Sequence, residues 1–222
     1  MNKENNHIPS SIKDNRKRGS VGNFLQKEID SGSKLSIVSA YFTICAYNKL
    51  KDELNEIENL DFLFGEPTFI EAVDPTNVNK KEFKIEDDKL VIPLENRLKQ
   101  KSVAKECGDW IKKKVNIKSM VKPNFLHGKM YHIQKENGVQ KAAFGSSNFT
   151  VNGLGFGGSP NIELNMEITE DRDRTDLKNR FDEIWNDNTG LVEDVKEEVL
   201  KYIEQLFRKI PRYFKGYIRE LI

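Results

Sequence analysis

The chain has 222 residues, enough for one sizeable core, and no linker rich in Pro, Gly or Ser interrupts it between Val21 and about Asn186. Its 36 Lys and Arg nearly balance its 35 Asp and Glu, so whole-chain charge does not mark a nucleic-acid binder and any such argument must be local. No apolar run is long enough to cross a bilayer and the polar N-terminus lacks the apolar centre of a signal peptide, which predicts a cytoplasmic protein without a membrane partner.

Residues 1–20 mix charge with Asn and Ser and have no hydrophobic period, so they are expected to form a flexible tail ahead of one domain spanning 21–222. Lys34 to Phe42, rich in β-branched and aromatic residues and preceded by Ser31-Gly32-Ser33, predicts a central strand. In Ala46 to Ile57 the residues Ala46, Leu50, Leu54 and Ile57 share one helical face, and Leu60 to Phe64 reads as the next strand. This strand, helix, strand order predicts a parallel crossover unit. Between Gly65 and Val91 the period is lost around Pro67 and Pro75, which predicts a long surface loop with a short hairpin at Phe83 to Val91.

A helix is predicted over Leu94 to Lys114, then a strand over Val115 to Met120. Three further strands are expected at Leu126 to Gln134, Lys141 to Gly145 and Ile162 to Ile168. From about Asp173 the chain is predicted to be helical, with one stripe through Leu177, Phe181, Ile184 and Trp185 and another from Val192 to Leu206. The expected fold class is α/β, a mixed, mostly parallel sheet flanked by helices on both faces, with C-terminal helices. Cys45 and Cys107 are far apart and in no metal-ligand spacing, so both read as buried thiols.

Three polar clusters sit among the later strands: His127-Gly128-Lys129, Gly145-Ser146-Ser147-Asn148, and Glu163 between Asn161 and Asn165. On a strand over 126–134 the period of two places His127, Lys129 and Tyr131 on one face and Met130 and His132 on the other. Taken singly, the histidine reads as a hydrogen-bonded structural residue, the lysine as a solvated charge and the glycine-serine run as a turn. Gly153-Leu154-Gly155-Phe156-Gly157-Gly158 satisfies G-x-G-x-x-G, but it neither follows a strand directly nor opens a helix, so it reads as a flexible loop rather than a dinucleotide site. No P-loop pattern is present.

The three clusters together resemble the phospholipase D superfamily, whose pattern is H-x-K-x-x-x-x-D, then G-S-x-N, then a glutamate. His127 and Lys129 match the first part, Gly145 to Asn148 the second and Glu163 the third, while the aspartate position is held by Gln134. Leu35 to Phe42, Leu60 to Gly65, Trp110 to Tyr131 and Gly145 to Thr150 look like the single-motif domain that precedes the motor of bacterial Swi/Snf-type helicases. The resemblance implies that His127 attacks phosphorus to form a covalent phosphohistidine, with no metal or other cofactor. It implies that Lys129, Ser146, Ser147 and Asn148 hold phosphoryl oxygens and that Glu163 accepts a hydrogen bond from the far nitrogen of His127.

Lysines and arginines from Arg97 to Lys122 lead towards Lys129, which suits a polyanion, DNA more than RNA, better than a phospholipid. The expected activity is therefore nuclease action on DNA, in a helicase accessory domain or a restriction or defence system. The rival reading is a silent nucleic-acid-binding module that targets a helicase motor, and Gln134 keeps it open. Pro211 to Ile222 ends on apolar residues without a stop signal, and if the natural chain continues beyond Ile222 the resemblance implies a helicase motor further along. A single H-x-K supplies one histidine where the chemistry needs two, which predicts a homodimer with a shared active site, the glycine-rich loop with Phe149 and Phe156 contributing to its interface.

Overall fold

The computed structural model describes residues 10–65 and 94–208, with side chains within 10–65 and 101–204. The loop expected after Gly65, its hairpin, and the stretch Pro211 to Ile222 lie outside the described residues. The elements are β1 (Ile12–Lys13), α1 (Val21–Glu28), β2 (Lys34–Ser39), α2 (Ile44–Lys49), α3 (Lys51–Glu56), β3 (Asn59–Phe64), α4 (Leu94–Lys114), β4 (Val115–Met120), β5 (Lys129–Gln134), β6 (Gln140–Gly145), β7 (Asn165–Ile168), α5 (Asp171–Trp185), β8 (Val192–Asp194) and α6 (Lys196–Arg208).

All eight strands form one sheet in the order β1-β7-β6-β5-β2-β3-β4-β8. The expected mixed α/β class is what the chain adopts, but parallel pairing is narrower than expected and confined to β2, β3 and β4. Every other ladder is antiparallel. The reason is connection length. A parallel neighbour needs a crossover, and only the links β2 to β3 and β3 to β4 carry helices between adjacent strands, whereas β5 and β6 are joined by a short turn.

Helices cover both faces. On one side Leu35, Ile37, Phe62, Ile117, Tyr131 and Ile133 pack against Leu25, Tyr47, Leu54, Trp110 and Ile203 of the helices. The buried Trp110 indole keeps a partner by donating to the Leu54 carbonyl at 2.9 Å. On the other side Val38, Leu63, Met120 and Met130 meet Phe181 and Ile184 of α5. The single helix expected from Ala46 to Ile57 is two, because Leu50 leaves the helical region (φ −118°, ψ 11°) between α2 and α3.

Residues 10–20 are not a tail, which corrects the sequence expectation for that part; residues 1–9 lie outside the described residues. Ile12 and Lys13 add a strand to the edge at β7, and buried Asn15 donates to the carbonyls of Asn152 (3.2 Å) and Gly153 (2.9 Å). A two-residue strand and one asparagine are too short a signal for a hydrophobic-period argument to detect. Cys107 is buried as expected, but Cys45, in the first turn of α2, is exposed. Among the described residues no helix is long and apolar enough to cross a membrane.

Candidate active site

Sheet register gathers the three polar clusters at one end. Val38, near the end of β2, pairs with Met130 near the start of β5, and Lys129 pairs with Gly145 at the end of β6. The C-terminal ends of β2, β3 and β4 point the same way, so the site lies where open parallel strands terminate.

His127 is exposed and precedes β5 rather than lying on it, which corrects the strand expected from Leu126. The segment 121–128 crosses the end of β3, passing so close that a Cβ on Gly65 would sit 2.6 Å from the Leu126 carbonyl oxygen. Asn124 takes a left-handed backbone (φ 56°), and its carbonyl oxygen lies 3.1 Å from His127 Nε2. The half-buried Lys129 donates to the His127 carbonyl at 2.7 Å, which places the ammonium beside the imidazole-bearing residue. Tyr131 and His132 take opposite faces of β5, as the strand period predicts: Tyr131 joins the first core, and His132 lies 1% exposed beneath α5.

The strand end after β6 is held by side-chain amides. Asn165 Oδ1 accepts from the N–H groups of Ser146 and Ser147, both at 3.0 Å, and its Nδ2 donates to Ser147 Oγ (2.9 Å) and to the Lys13 carbonyl (3.1 Å). This close return requires glycine at 145, because a Cβ there would lie 2.5 Å from Asn165 Cα. Asn148 is oriented from the other side: Ala40 N–H (3.0 Å) and Ser39 Oγ (3.3 Å) both reach its Oδ1, and its Nδ2 donor makes no hydrogen bond among the described residues.

Two expected roles do not fit this geometry. Ser147 is fully buried and spends its hydroxyl, N–H and carbonyl on Asn165 and Tyr131, so it supports the turn and does not face a phosphate. Glu163 does not meet His127; one carboxylate oxygen accepts from Ser146 Oγ and the other from Asn161 Nδ2 at 3.3 Å. Ser146 Oγ in turn accepts from the Leu164 N–H at 2.9 Å, so this hydroxyl is committed as well. Glu163 precedes β7 in extended coil, 9% exposed, and its charge together with burial pushes the Tyr131 phenol well above its ordinary pKa, burial being the larger cause. Tyr131 is therefore a neutral donor to the Ser147 carbonyl (2.8 Å) and not a proton source.

Sequence reasoning missed Ser39, Ala40 and the carbonyl of Lys13. Ser39 carried a faint signal, a serine closing a strand directly after two apolar residues; the two backbone groups carried none. Of the two phenylalanines expected at a self-association surface, Phe149 is fully buried and stacks on Phe42 (5.2 Å between centroids), while Phe156 is partly buried against Gly22. Among the apolar side chains left open, Ile162, Leu164, Met166 and Phe144 lie on or beside β6 and β7, at 80%, 72%, 52% and 45% exposure.

The basic run in the sequence divides in space. Because α4 returns from the end of β3 to the start of β4, Lys112, Lys113 and Lys114 lie at the end of the sheet opposite the site. Lys114 is tied to the carbonyls of Asn55 and Ile57. Lys118 donates to the Trp185 carbonyl at 2.6 Å and lies over its ring. Lys122, exposed just beyond β4, is at the site end. Among the described residues no group of three or more His, Cys, Asp or Glu is placed to hold a metal ion.

The family model described as the PLD-like domain of cardiolipin synthase matches residues 71–185, just over half of the chain and all of the site residues from His127 to Glu163. Among solved structures, the polyphosphate kinase from Porphyromonas gingivalis aligns with a TM-score of 0.47 and 10% identity, over 89% of this chain and 26% of that one. The chain thus spans about a quarter of that protein's length. No curated protein matches.

Proposed function

The chain belongs to the PLD-like domain family of the phospholipase D superfamily, whose members carry out phosphodiesterase-type chemistry, and from that premise we propose that it is a cytosolic, metal-independent nuclease acting on DNA through a phosphohistidine at His127. The observation that supports this most is the convergence at one sheet end of an exposed imidazole, the Lys129 ammonium and the Asn148 amide, the last oriented by Ser39 and Ala40 so that Nδ2 is its remaining donor. In this reading a ring nitrogen of His127 attacks phosphorus as the P–O bond to the departing strand breaks; water then displaces the histidine. Lys129 and Asn148 donate to the non-bridging oxygens, where negative charge concentrates in the transition state.

The departing oxygen needs a proton, and His132 cannot give it, being buried on the opposite side of β5. We therefore assign the acid to His127 of a second copy in a homodimer with a shared site. This pairing rests on the chain's single H-x-K motif, which supplies one histidine where the two steps need two. Association with a helicase motor, or a place in a restriction or defence system, rests on the sequence resemblance alone.

The rival, a silent DNA-binding module, is favoured by Gln134 at the family's aspartate position and by Glu163 being engaged with Ser146 instead of His127. One experiment separates them: incubation with DNA in EDTA, for wild type, His127→Ala and mixtures of the two, with mass from light scattering. Cleavage abolished by His127→Ala, and falling more steeply than the wild-type fraction in the mixtures, supports the shared-site nuclease. Binding without cleavage supports the module. Full activity in a monomer rules out the shared site.

A further inference from the structure

Two exposed aromatic side chains flank the site and take no part in the chemistry above: Phe125 at 61% exposure and Tyr41 at 51%. Resting on the nuclease reading, we infer that the substrate is a single strand whose bases on either side of the scissile phosphate stack on Phe125 and Tyr41.

Each ring is held outward by anchored neighbours. Phe125 lies between Asn124, whose left-handed backbone and contact to His127 fix the turn, and Leu126, which packs against the second core. Tyr41 is tied through both its backbone groups to Ser39 Oγ, at 2.7 Å from its carbonyl and 3.3 Å from its N–H, while the next residue, Phe42, turns inward onto Phe149. In both places the chain buries the following apolar side chain and displays the aromatic one. A ring presented on a fixed backbone loses little freedom when a base covers it.

The placement matches the chemistry on either side of a phosphate. Phe125 is two residues from His127, and Tyr41 is two residues from the serine that orients Asn148; two residues span at most about 7 Å. A phosphate between His127 and Asn148 therefore lies within about a nucleotide step of the backbone that carries each ring. In a duplex the bases are already stacked and paired, so rings so near the backbone meet only sugar and phosphate. In a single strand the bases are free to turn onto them, and such stacking tolerates any sequence because every base offers a π-face.

The test compares a single-stranded oligonucleotide, the same strand with abasic spacers around its centre, and the duplex, by fluorescence anisotropy and by cleavage in EDTA. Wild type is expected to bind the normal strand about fivefold or more tighter than the abasic strand or the duplex. Phe125→Ala and Tyr41→Ala should each reduce that preference and the double change remove it, while Phe125→Trp retains it. Wild type that binds the abasic strand or the duplex as well as the normal strand overturns the inference but leaves the nuclease reading standing if His127-dependent cleavage persists. A preference that survives the double change overturns it too. Absence of binding and cleavage for all three substrates overturns both.

Discussion

In β2 and β3 both faces are closed: Leu35, Ile37, Leu60 and Phe62 are buried on one side, Val38 and Leu63 on the other. In β6 and β7 only one face is fully closed, and Ala143 (fully buried) alternates with Phe144 and its cross-strand partner Met166, both about half exposed. The difference follows from connectivity, since each parallel crossover brings helices to the sheet while a hairpin brings none. It also decides where the polar residues go. The parallel strands are fixed by packing, whereas the antiparallel wing of β6 and β7 is fixed at its ends by amides and hydroxyls: Asn165, Asn148 and Ser146, with Ser39 reaching across from the end of β2. The proposed site sits where hydrogen-bond geometry, and not volume, sets the backbone.

That contrast is broken or sharpened most strongly by one substitution in each half. Leu60→Ala, in the parallel part and at the end away from the site, removes a fully buried side chain and should cost about 2–5 kcal/mol in urea unfolding, with turnover per folded molecule retained. Asn165→Ala should cost about 1–3 kcal/mol, because the Ser146 N–H and the buried Ser147 N–H both lose their acceptor. It should also lower DNA cleavage roughly 10- to 100-fold by letting the turn at Ser146 to Asn148 relax. Equal loss of turnover in the two variants would mean that the halves do not differ in this way.

The parallel half was the more legible in the sequence. The long helix and following strand at 94–120 were read with the bounds the structure gives, and the β2, helix, β3 unit followed from apolar spacing alone. These elements are set by burial, which composition reports directly. The wing was read in outline only. His127 and Glu163 were assigned to strands, but each lies in the coil before one, held by contacts to Asn124 and to Ser146 that no periodicity encodes. Strand β8, three residues that extend β4, was absorbed into a predicted helix for the same reason as β1 was overlooked. The site residues stood out by type and spacing, yet which of them face outward depended on long-range partners: Ser147 turns in because Asn165, eighteen positions on, meets it.

His132 offers a second, smaller contrast, between a histidine used for packing and the one proposed for chemistry. It is 1% exposed, Nε2 donates to Gln140 Oε1 at 3.1 Å, and Nδ1 has no hydrogen-bond partner among the described residues. Burial lowers its pKa; the Gln140 bond raises it, and among the α5 charges Lys178 and Arg174 lower it while Asp182 raises it. The unfolded chain then binds the proton more readily, so this contribution is fully present above about pH 6.5 and is lost as pH falls through that value towards the lower folded pKa. Wild type should show a falling urea midpoint between pH 7 and pH 5, and His132→Gln a flatter one. Parallel slopes would show that protonation at this position is not felt by the fold.

The smallest expected effect concerns the basic run, which in sequence is continuous from α4 to Lys122 and in space is not. Lys112 and Lys113 are exposed at the start of β4, and Lys122 is exposed just beyond its end, so the six residues of β4 separate them by roughly 20 Å at about 3.3 Å per residue. At physiological ionic strength that is more than two screening lengths of about 8 Å. Reversing Lys112 and Lys113 together to Glu should therefore change DNA affinity by less than about twofold, since a charge so far from the phosphate path is largely screened. Lys122→Glu, a single change, should weaken binding more than the double one and reduce the salt dependence of log Kd by about one ion. Titrations of labelled DNA at several salt concentrations measure both quantities. A larger loss from the far pair than from Lys122 would place the DNA path along α4 and across the start of β4, and with it move the substrate away from His127.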